Sequence, residues 1–302
     1  MKYGIAASYL GSYSDRLWGQ VALNPGEFLG TGPCTLNGVN YPVCTVNSNL
    51  DQRRVLRDPL IGVVDQHTDV GTQSYRGLKI SGSRRGGSGL TLNGNYTLSR
   101  CFGTATPGSF PQLSTGFTNP KDPNFDRGHC TQDRTHIVNF TMGYETPTVG
   151  GALGVLASHW RVSGILNANS GSWLNIITGQ DNAGNGINNQ RPNKVSDDVY
   201  GAKTLQAFLN VNAFQQPAAG TFGNLQYNSI KGPGFWKIDM ALTRNIVMGT
   251  RNVELRLETF NLLNHFNWGN PAVNLNNRGT FGRITTMQGA PRIMQFGVKF
   301  GF

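Results

Sequence analysis

Alternation of apolar and polar residues is the main pattern along this chain, and it predicts β-strands. In residues 292–302, large apolar side chains stand at every second position from Met294 onward, separated by Gln, Gly, Lys and Gly. A period of two places apolar side chains on one face of a strand and polar ones on the other. The same pattern predicts eight strands, over residues 2–9, 73–85, 89–100, 134–146, 158–178, 235–248, 252–264 and 292–302.

Strand length and face chemistry indicate strands that cross a membrane. A tilted strand of about ten residues spans a bilayer. In residues 253–258, Val and Leu alternate with Glu254, Arg256 and Glu258, so the charged face requires water while the other can face lipid. A mean hydropathy of −0.32 is compatible with such alternating strands. No run of 18 or more apolar residues is present, which excludes a helical span.

The predicted connections alternate between long and short. Long connections cover residues 10–72, 101–133, 179–234 and 265–291, and short ones cover 86–88, 147–157 and 249–251. In an up-and-down meander, this order places every long connection at the same end of the strands. Bacterial outer-membrane barrels have this asymmetry, with short periplasmic turns and long outer loops. The sequence therefore predicts an all-β fold, an antiparallel up-and-down transmembrane β-barrel with its long loops outside the cell.

The four cysteines all fall within the predicted outer connections. An oxidising compartment permits disulfides, and four cysteines allow three pairings. The local pairing is preferred on spacing, and it joins Cys34 to Cys44 and Cys101 to Cys130.

Two segments contain residue types found at metal sites, but neither has the required spacing. Asp126, His129, Cys130 and Asp133 occur together without a CxxC or HxxxH pattern. Residues 181–186 begin like an EF-hand, yet the third position is alanine and the twelfth is proline. We therefore expect no metal site, and we interpret the second segment as a flexible Asn/Gly loop.

The charge pattern does not indicate a nucleic-acid-binding protein, although the formal net charge is +10. The basic residues are scattered, the pairs at 53–54 and 84–85 are isolated, and no nucleic-acid-binding motif is present. Anionic outer-membrane lipid or lipopolysaccharide is the expected partner of exposed Arg and Lys. We also expect no enzyme and no cofactor, since no GxSxG, HExxH or paired-carboxylate pattern stands out and the histidines lack a nucleophile partner.

Ordered segments along nearly the whole chain resemble TonB-dependent outer-membrane receptors, especially the Oar-like group. The similarity includes YRGLKI, NYTLS, DRTH, QRPN, GPGFW and FNLLNHFN, which begin at residues 75, 95, 133, 190, 232 and 260. Shorter segments agree in the same order, at residues 84–85, 89–90, 164–166, 170–172, 239, 269–271, 281–284 and 291–292.

The resemblance implies energised uptake of a scarce ligand across the outer membrane. Such receptors have about 22 strands, an internal plug, a TonB box and a signal peptide. Residues 1–302 are accordingly expected to be the carboxyl-terminal part of a larger barrel, without plug or signal peptide, and coupled to TonB through the missing amino-terminal part. The aromatic end of the last strand resembles the signal that the outer-membrane assembly machinery reads, carried here by Phe296, Val298, Phe300 and Phe302.

Residues that bind the ligand are not identified by the sequence. Residues 179–234 are the best candidates, because loops on a rigid scaffold commonly carry recognition. Two other architectures stay open. The first is an autonomous eight-stranded structural or adhesion barrel, which predicts pairing between residues 2–9 and 292–302. The second is a soluble β-sandwich binding module.

Overall fold

The computed structural model describes residues 2–56, 61–86, 89–104, 116–151, 157–188 and 190–302, and most of the strands form one antiparallel sheet. In this nine-stranded sheet, eight long strands are neighbours in chain order, and Arg127–His129 pairs beside the third. The all-β meander is therefore confirmed, while residues 57–60, 87–88, 105–115, 152–156 and 189 of the predicted connections lie outside the described residues. The long strands are β1 Lys2–Ala22, β2 Asp65–Arg85, β3 Leu90–Thr104, β4 His136–Glu145, β5 Trp160–Asn169, β6 Phe235–Met248, β7 Arg251–Phe260 and β8 Ile293–Gly301.

The first two strands are much longer than predicted. β1 and β2 have 21 residues each and pair from Lys2 opposite Arg85 to Ala22 opposite Asp65. This is about twice the length that crosses a bilayer. The alternation disappears after Tyr13, where β1 mixes polar and apolar residues without a period of two and contains register shifts on both sides of Leu17. Main-chain pairing continues there without an amphipathic pattern, so the predicted long connection at residues 10–72 is shortened to residues 23–64.

Two predicted strands end earlier than expected. The strand predicted over 158–178 stops at Asn169, because the backbone at Gly171 packs against Gly232 so closely that a Cβ atom would lie 1.9 Å from the Gly232 carbonyl oxygen. The strand predicted over 252–264 stops at Phe260, because Asn261 has a positive φ of 51° and its side-chain oxygen accepts a hydrogen bond from the next turn. Both ends depend on tertiary contacts or local turn geometry.

Strand register places most of the large apolar strand residues on one face of the sheet. Leu257 of β7 stands opposite Phe296 of β8 and Leu242 of β6, while Glu258 stands opposite Gln295. Directly opposed residues point to the same face. Followed from strand to strand, the pairings define an apolar face that includes Tyr3, Ile5, Tyr9, Leu78, Ile80, Leu92, Tyr96, Val138, Phe140, Met142, Val162, Leu166, Ile238, Leu242, Leu257 and Phe296.

Among the described residues, no second sheet covers the apolar face, as a soluble β-sandwich requires. Phe296 is 80% exposed and Val298 is 73% exposed. The remaining strands are short two-stranded ribbons within the long connections. They are Cys34–Leu36 with Val39–Tyr41, Trp173–Leu174 with Ile230–Lys231, Asn193–Lys194 with Phe214–Gln215, and Asn267–Trp268 with Met287–Gln288.

Four short 3₁₀ turns are present in the described residues. No helix in that part of the chain is long and apolar enough to cross a membrane. The turns are Asn47–Asn49, Asp51–Arg53, Pro123–Asp126 and Val211–Ala213.

The sheet is open, and its two outer strands do not pair with each other. β1 pairs with β2, and β8 pairs with β7. The contact between residues 2–9 and 292–302 that an autonomous eight-stranded barrel requires is therefore absent, although all of these residues are described.

Neighbouring substitutions on β7 distinguish the two faces. In lipid, Leu257→Arg is expected to lower the free energy of unfolding by about 2–4 kcal/mol. Glu258→Leu is expected to cost much less, because this side chain lies on the polar face beside Arg256 and Gln295. Denaturant unfolding of the full-length protein in lipid vesicles measures both effects, and equal losses would contradict the assignment of faces.

The terminal aromatic residue is a test of the predicted assembly signal. Phe302 is 99% exposed, and its ring lies 6.1 Å from the ring of Phe300. We expect Phe302→Ser to reduce the amount of full-length protein in outer-membrane fractions, whereas Phe302→Trp retains an aromatic terminus and should preserve it. Unchanged outer-membrane levels of the serine variant would show that the terminal ring is not read during assembly.

Candidate functional site

The four long connections lie at one end of the sheet. We number them connection 1 (residues 23–64), connection 2 (105–135), connection 3 (170–234) and connection 4 (261–292), and we call their described residues the loop layer. The opposite end has the tight turn between β6 and β7 and the other short connections. The predicted sorting of long and short connections is therefore confirmed.

A buried apolar core lies in the loop layer. Connections 3 and 4 bury a cluster in which Ile176 is fully inaccessible and Leu275 is 1% exposed. Two ladder-like hydrogen bonds join the same region, from Ile177 N to Val273 O at 3.0 Å and from Leu275 N to Ile177 O at 2.8 Å. The rest of the cluster is Leu174, Phe208, Leu209, Ala213, Phe214, Leu225, Ile230, Phe281 and Ile284. These connections therefore form a folded unit.

Hydrogen bonds of Arg53 join connection 1 to connection 3. Its side chain is buried, and it donates from Nε to Asn49 Oδ1 at 2.8 Å and from Nη1 to Gly184 O at 2.8 Å. The same Nη1 also donates to the carbonyl oxygen of Glu27. Burial lowers the pKa of the guanidinium from its ordinary value. Its partners are mainly neutral oxygens, so the contact depends on the planar array of donors that arginine supplies.

A buried ion pair joins connection 2 to connection 3. Arg191 Nη1 donates to Asp126 Oδ1, and the side chains are 1% and 5% exposed. Arg191 also donates to Phe125 O at 2.7 Å and to Leu225 O at 2.8 Å, and its guanidinium lies 4.2 Å from the Phe125 ring centroid. Asp126 accepts a further bond from Thr118 N at 2.5 Å. Every part of this buried charge therefore has a partner, which offsets its desolvation.

The segment at 181–186 differs from the flexible loop that the sequence predicts. Asp181 accepts hydrogen bonds from Asn185 N at 3.1 Å, Gly186 N at 2.7 Å and Gln190 Nε2 at 2.7 Å. Asn185 and Gln190 are buried, and Asn185 donates to Thr118 O in connection 2 at 3.1 Å. The carboxylate therefore organises a compact turn in the interior of the loop layer. The carboxylate oxygens of Asp181 thus accept hydrogen bonds from N–H groups, which are not ligands for a cation.

The cysteines form two disulfides in the local pairing. Cys34 bonds to Cys44 within connection 1, and Cys101 at the end of β3 bonds to Cys130 in connection 2. The second bond ties connection 2 to the sheet.

The residues weighed as metal ligands have protein partners. Cys130 is oxidised, and Asp126 is in the ion pair described above. His129 Nδ1 lies 2.7 Å from Asp133 Oδ2, while Asp133 Oδ1 accepts a hydrogen bond from Cys101 N at 3.0 Å. Within the described ranges, no group of three or more such side chains could hold a metal ion.

The polar face of the sheet below the loop layer carries a row of amides. Asn139 Nδ2 donates to Asn95 Oδ1 at 3.3 Å, and Asn167 Nδ2 donates to Asn139 Oδ1 at 2.9 Å. In register with Asn167 stands Lys237, whose Nζ lies 2.7 Å from Asp239 Oδ2. Neutral amides and paired charges make a wall that is compatible with water and with polar solutes.

The buried arginines are the site residues that sequence reasoning missed. Arg53 and Arg54 form one of the isolated basic pairs, for which the sequence predicted no role, and they are 1% and 5% exposed. Arg191 lies in the QRPN segment that carried the family resemblance, but no role was predicted for it. Candidate ligand contacts in 179–234 stay a prediction, and the buried side chains of that segment serve the interior of the loop layer instead.

Removal of Arg191 should loosen the loop layer. Arg191→Met leaves the Asp126 carboxylate buried without its cation, a change that typically costs about 3–5 kcal/mol. We expect faster hydrogen exchange and proteolysis in connections 2 and 3 of the full-length protein. Lys194→Met is the matched control, because Lys194 pairs with exposed Asp197. Equal protection in both variants would show that the ion pair does not hold the layer together.

Comparison with known proteins identifies the family. Residues 2–295 match the family described as outer membrane beta barrel domain. The outer membrane transporter YddB from Escherichia coli has a similar fold, with a TM-score of 0.51 at 10% sequence identity over 98% of this chain and 30% of that chain. The chain thus spans about 30% of the length of that transporter. No curated protein matches. The chain therefore belongs to the outer membrane beta barrel domain family, and it is a protein of the outer membrane.

Proposed function

We propose that this chain forms part of a TonB-dependent transporter that takes up a scarce ligand across the outer membrane. The observation that carries the proposal is the open sheet of eight long strands, whose fold matches 30% of an outer membrane transporter. Unpaired main-chain groups at a strand edge cost several kcal/mol each in lipid. Further strands that pair with β1 and β8 would satisfy these edges and complete a large barrel.

The loop layer suits ligand capture at the mouth of such a barrel. Recognition needs loops held on a rigid scaffold, and the contacts of Arg53 and Arg191 hold three of the four long connections in one arrangement. Below it, the amide row on the polar face offers a passage wall that is compatible with water and polar solutes. The proposed role is binding and translocation without a chemical reaction or a cofactor.

Coupling to energy would use parts that the family resemblance assigns to the amino-terminal region of such receptors. A plug inside the barrel and a TonB box would link the barrel to the TonB protein. The terminal strand β8 would engage the outer-membrane assembly machinery through Phe296, Val298, Phe300 and Phe302, which stand on the apolar face or continue its row.

Two separate deletion strains test the proposal, one that lacks the gene for this protein and one that lacks TonB. Growth and uptake are measured for a panel of iron chelates, oligosaccharides and cobalamin-like compounds in wild-type and deletion strains. We expect uptake of one compound to fail in both deletions, while the TonB deletion still binds that compound at the cell surface. Uptake that persists without TonB, or a gene deletion that affects no compound, would contradict the proposed function.

A further inference from the structure

A crevice of about 690 Å³ opens on the apolar face at the loop end of the sheet. Val138, Ala168 and Trp236 from three adjacent strands form its floor. Phe208 of connection 3 and Phe266 of connection 4 form its walls. Its volume lies within the roughly 300–1,000 Å³ typical of small-molecule sites, and its lining is mainly aromatic and aliphatic.

The crevice continues into the part of the sheet that faces lipid. Val138 also lines a neighbouring apolar groove of about 650 Å³ on the same face. Gly82 and Gly94 stand directly opposite each other in that groove, so its floor lacks side chains at this point. An extended chain could therefore run from beneath the loop layer along the sheet towards the centre of the bilayer without leaving apolar surroundings.

The rim of the crevice is cationic. Lys203 is exposed, lies in the left-handed region with φ 52°, and has its Nζ 5.0 Å from the Tyr200 ring centroid. The other ionisable residues of the lining are His136 and His265, and none of the described lining residues is acidic. His265 stacks on Trp236 with ring centroids 4.1 Å apart. Aromatic rings with a cation above them are typical of the level of lipid headgroups.

We propose that this crevice seats one acyl chain of lipopolysaccharide, with a phosphate of the lipid anchor beside Lys203. The occupant is amphiphilic, because an apolar slot open to the bilayer ends at a cationic rim. It belongs to the outer leaflet, because long connections of outer-membrane barrels lie outside the cell, and lipopolysaccharide occupies that leaflet. The lipid site does not depend on transport, so a negative result for the proposed function would not contradict the site, and the reverse also holds.

Photocrosslinking in the native outer membrane tests the site. A photoreactive amino acid replaces Phe266, which is 48% exposed and lines the crevice, and the adduct is detected by its lipopolysaccharide ladder on a gel. The matched control position is Leu263, which is 58% exposed but is not among the lining residues. We expect strong labelling from position 266 and weak labelling from position 263.

Two variants in the background of the position 266 crosslinker link the adduct to the crevice. Ala168→Trp fills the floor and should abolish labelling. Lys203→Gln removes the cation and should reduce labelling about fivefold. One basic residue near an anionic lipid surface contributes a binding free energy of about 1 kcal/mol, which corresponds to that factor. Lys121→Gln changes the charge of another exposed lysine by the same amount and should leave labelling unchanged.

Three results would overturn the proposal. They are equal labelling from positions 266 and 263, adducts at position 266 that contain phospholipid instead of lipopolysaccharide, and labelling that Lys203→Gln leaves unchanged. If Ala168→Trp lowers the amount of folded protein, judged by heat-modifiable migration, the exposed Lys203 variant decides alone.

Discussion

Main-chain hydrogen bonding without water is the constraint on which this structure depends. Inside a bilayer each N–H and C=O group needs a partner on a neighbouring strand, and between neighbours the eight long strands meet this need by antiparallel pairing in chain order, with the outer edges of β1 and β8 left open. Fixed register follows, and with it one apolar and one polar face. The ladder holds the sheet together, so side chains on the polar face are free to line the passage of the proposed transporter.

The loop layer is stabilised by a different interaction. Lipid supplies no hydrophobic driving force to pack side chains against one another, whereas water does. The best-buried apolar side chains accordingly lie in the water-facing connections, with Ile176 and Leu275 at the centre. Arg53 and Arg191 then join neighbouring connections through donors that reach main-chain oxygens across the gaps. The protein therefore combines a sheet stabilised by its backbone with a loop layer stabilised by side chains.

The sequence predicted what depends on local periodicity. Residues such as Leu257 and Glu258 alternate on a short scale, so the eight strands, their order and their faces follow from the pattern. It did not predict where strand pairing continues in water, as after Tyr13, because no face there needs to be apolar. It also missed the roles of Arg53 and Asp181. Arg53 binds main-chain groups that are remote in sequence, such as Gly184 O. Asp181 accepts hydrogen bonds within a turn, and the comparison with an EF-hand did not predict that turn.

Connection 3 contacts each of the other long connections, through Arg53, Arg191 and the strand-like bonds at Ile177. Sequence changes that alter one connection are therefore transmitted to its neighbours through shared buried groups. In evolution, such a layer should diversify as a set of co-inherited loops, with recombination breakpoints favoured before connection 1 or after connection 4 and disfavoured in the strands that separate the connections. In the proposed transporter, a new specificity would then arise by exchange of the whole layer, together with the strands between its connections, more readily than by exchange of a single loop.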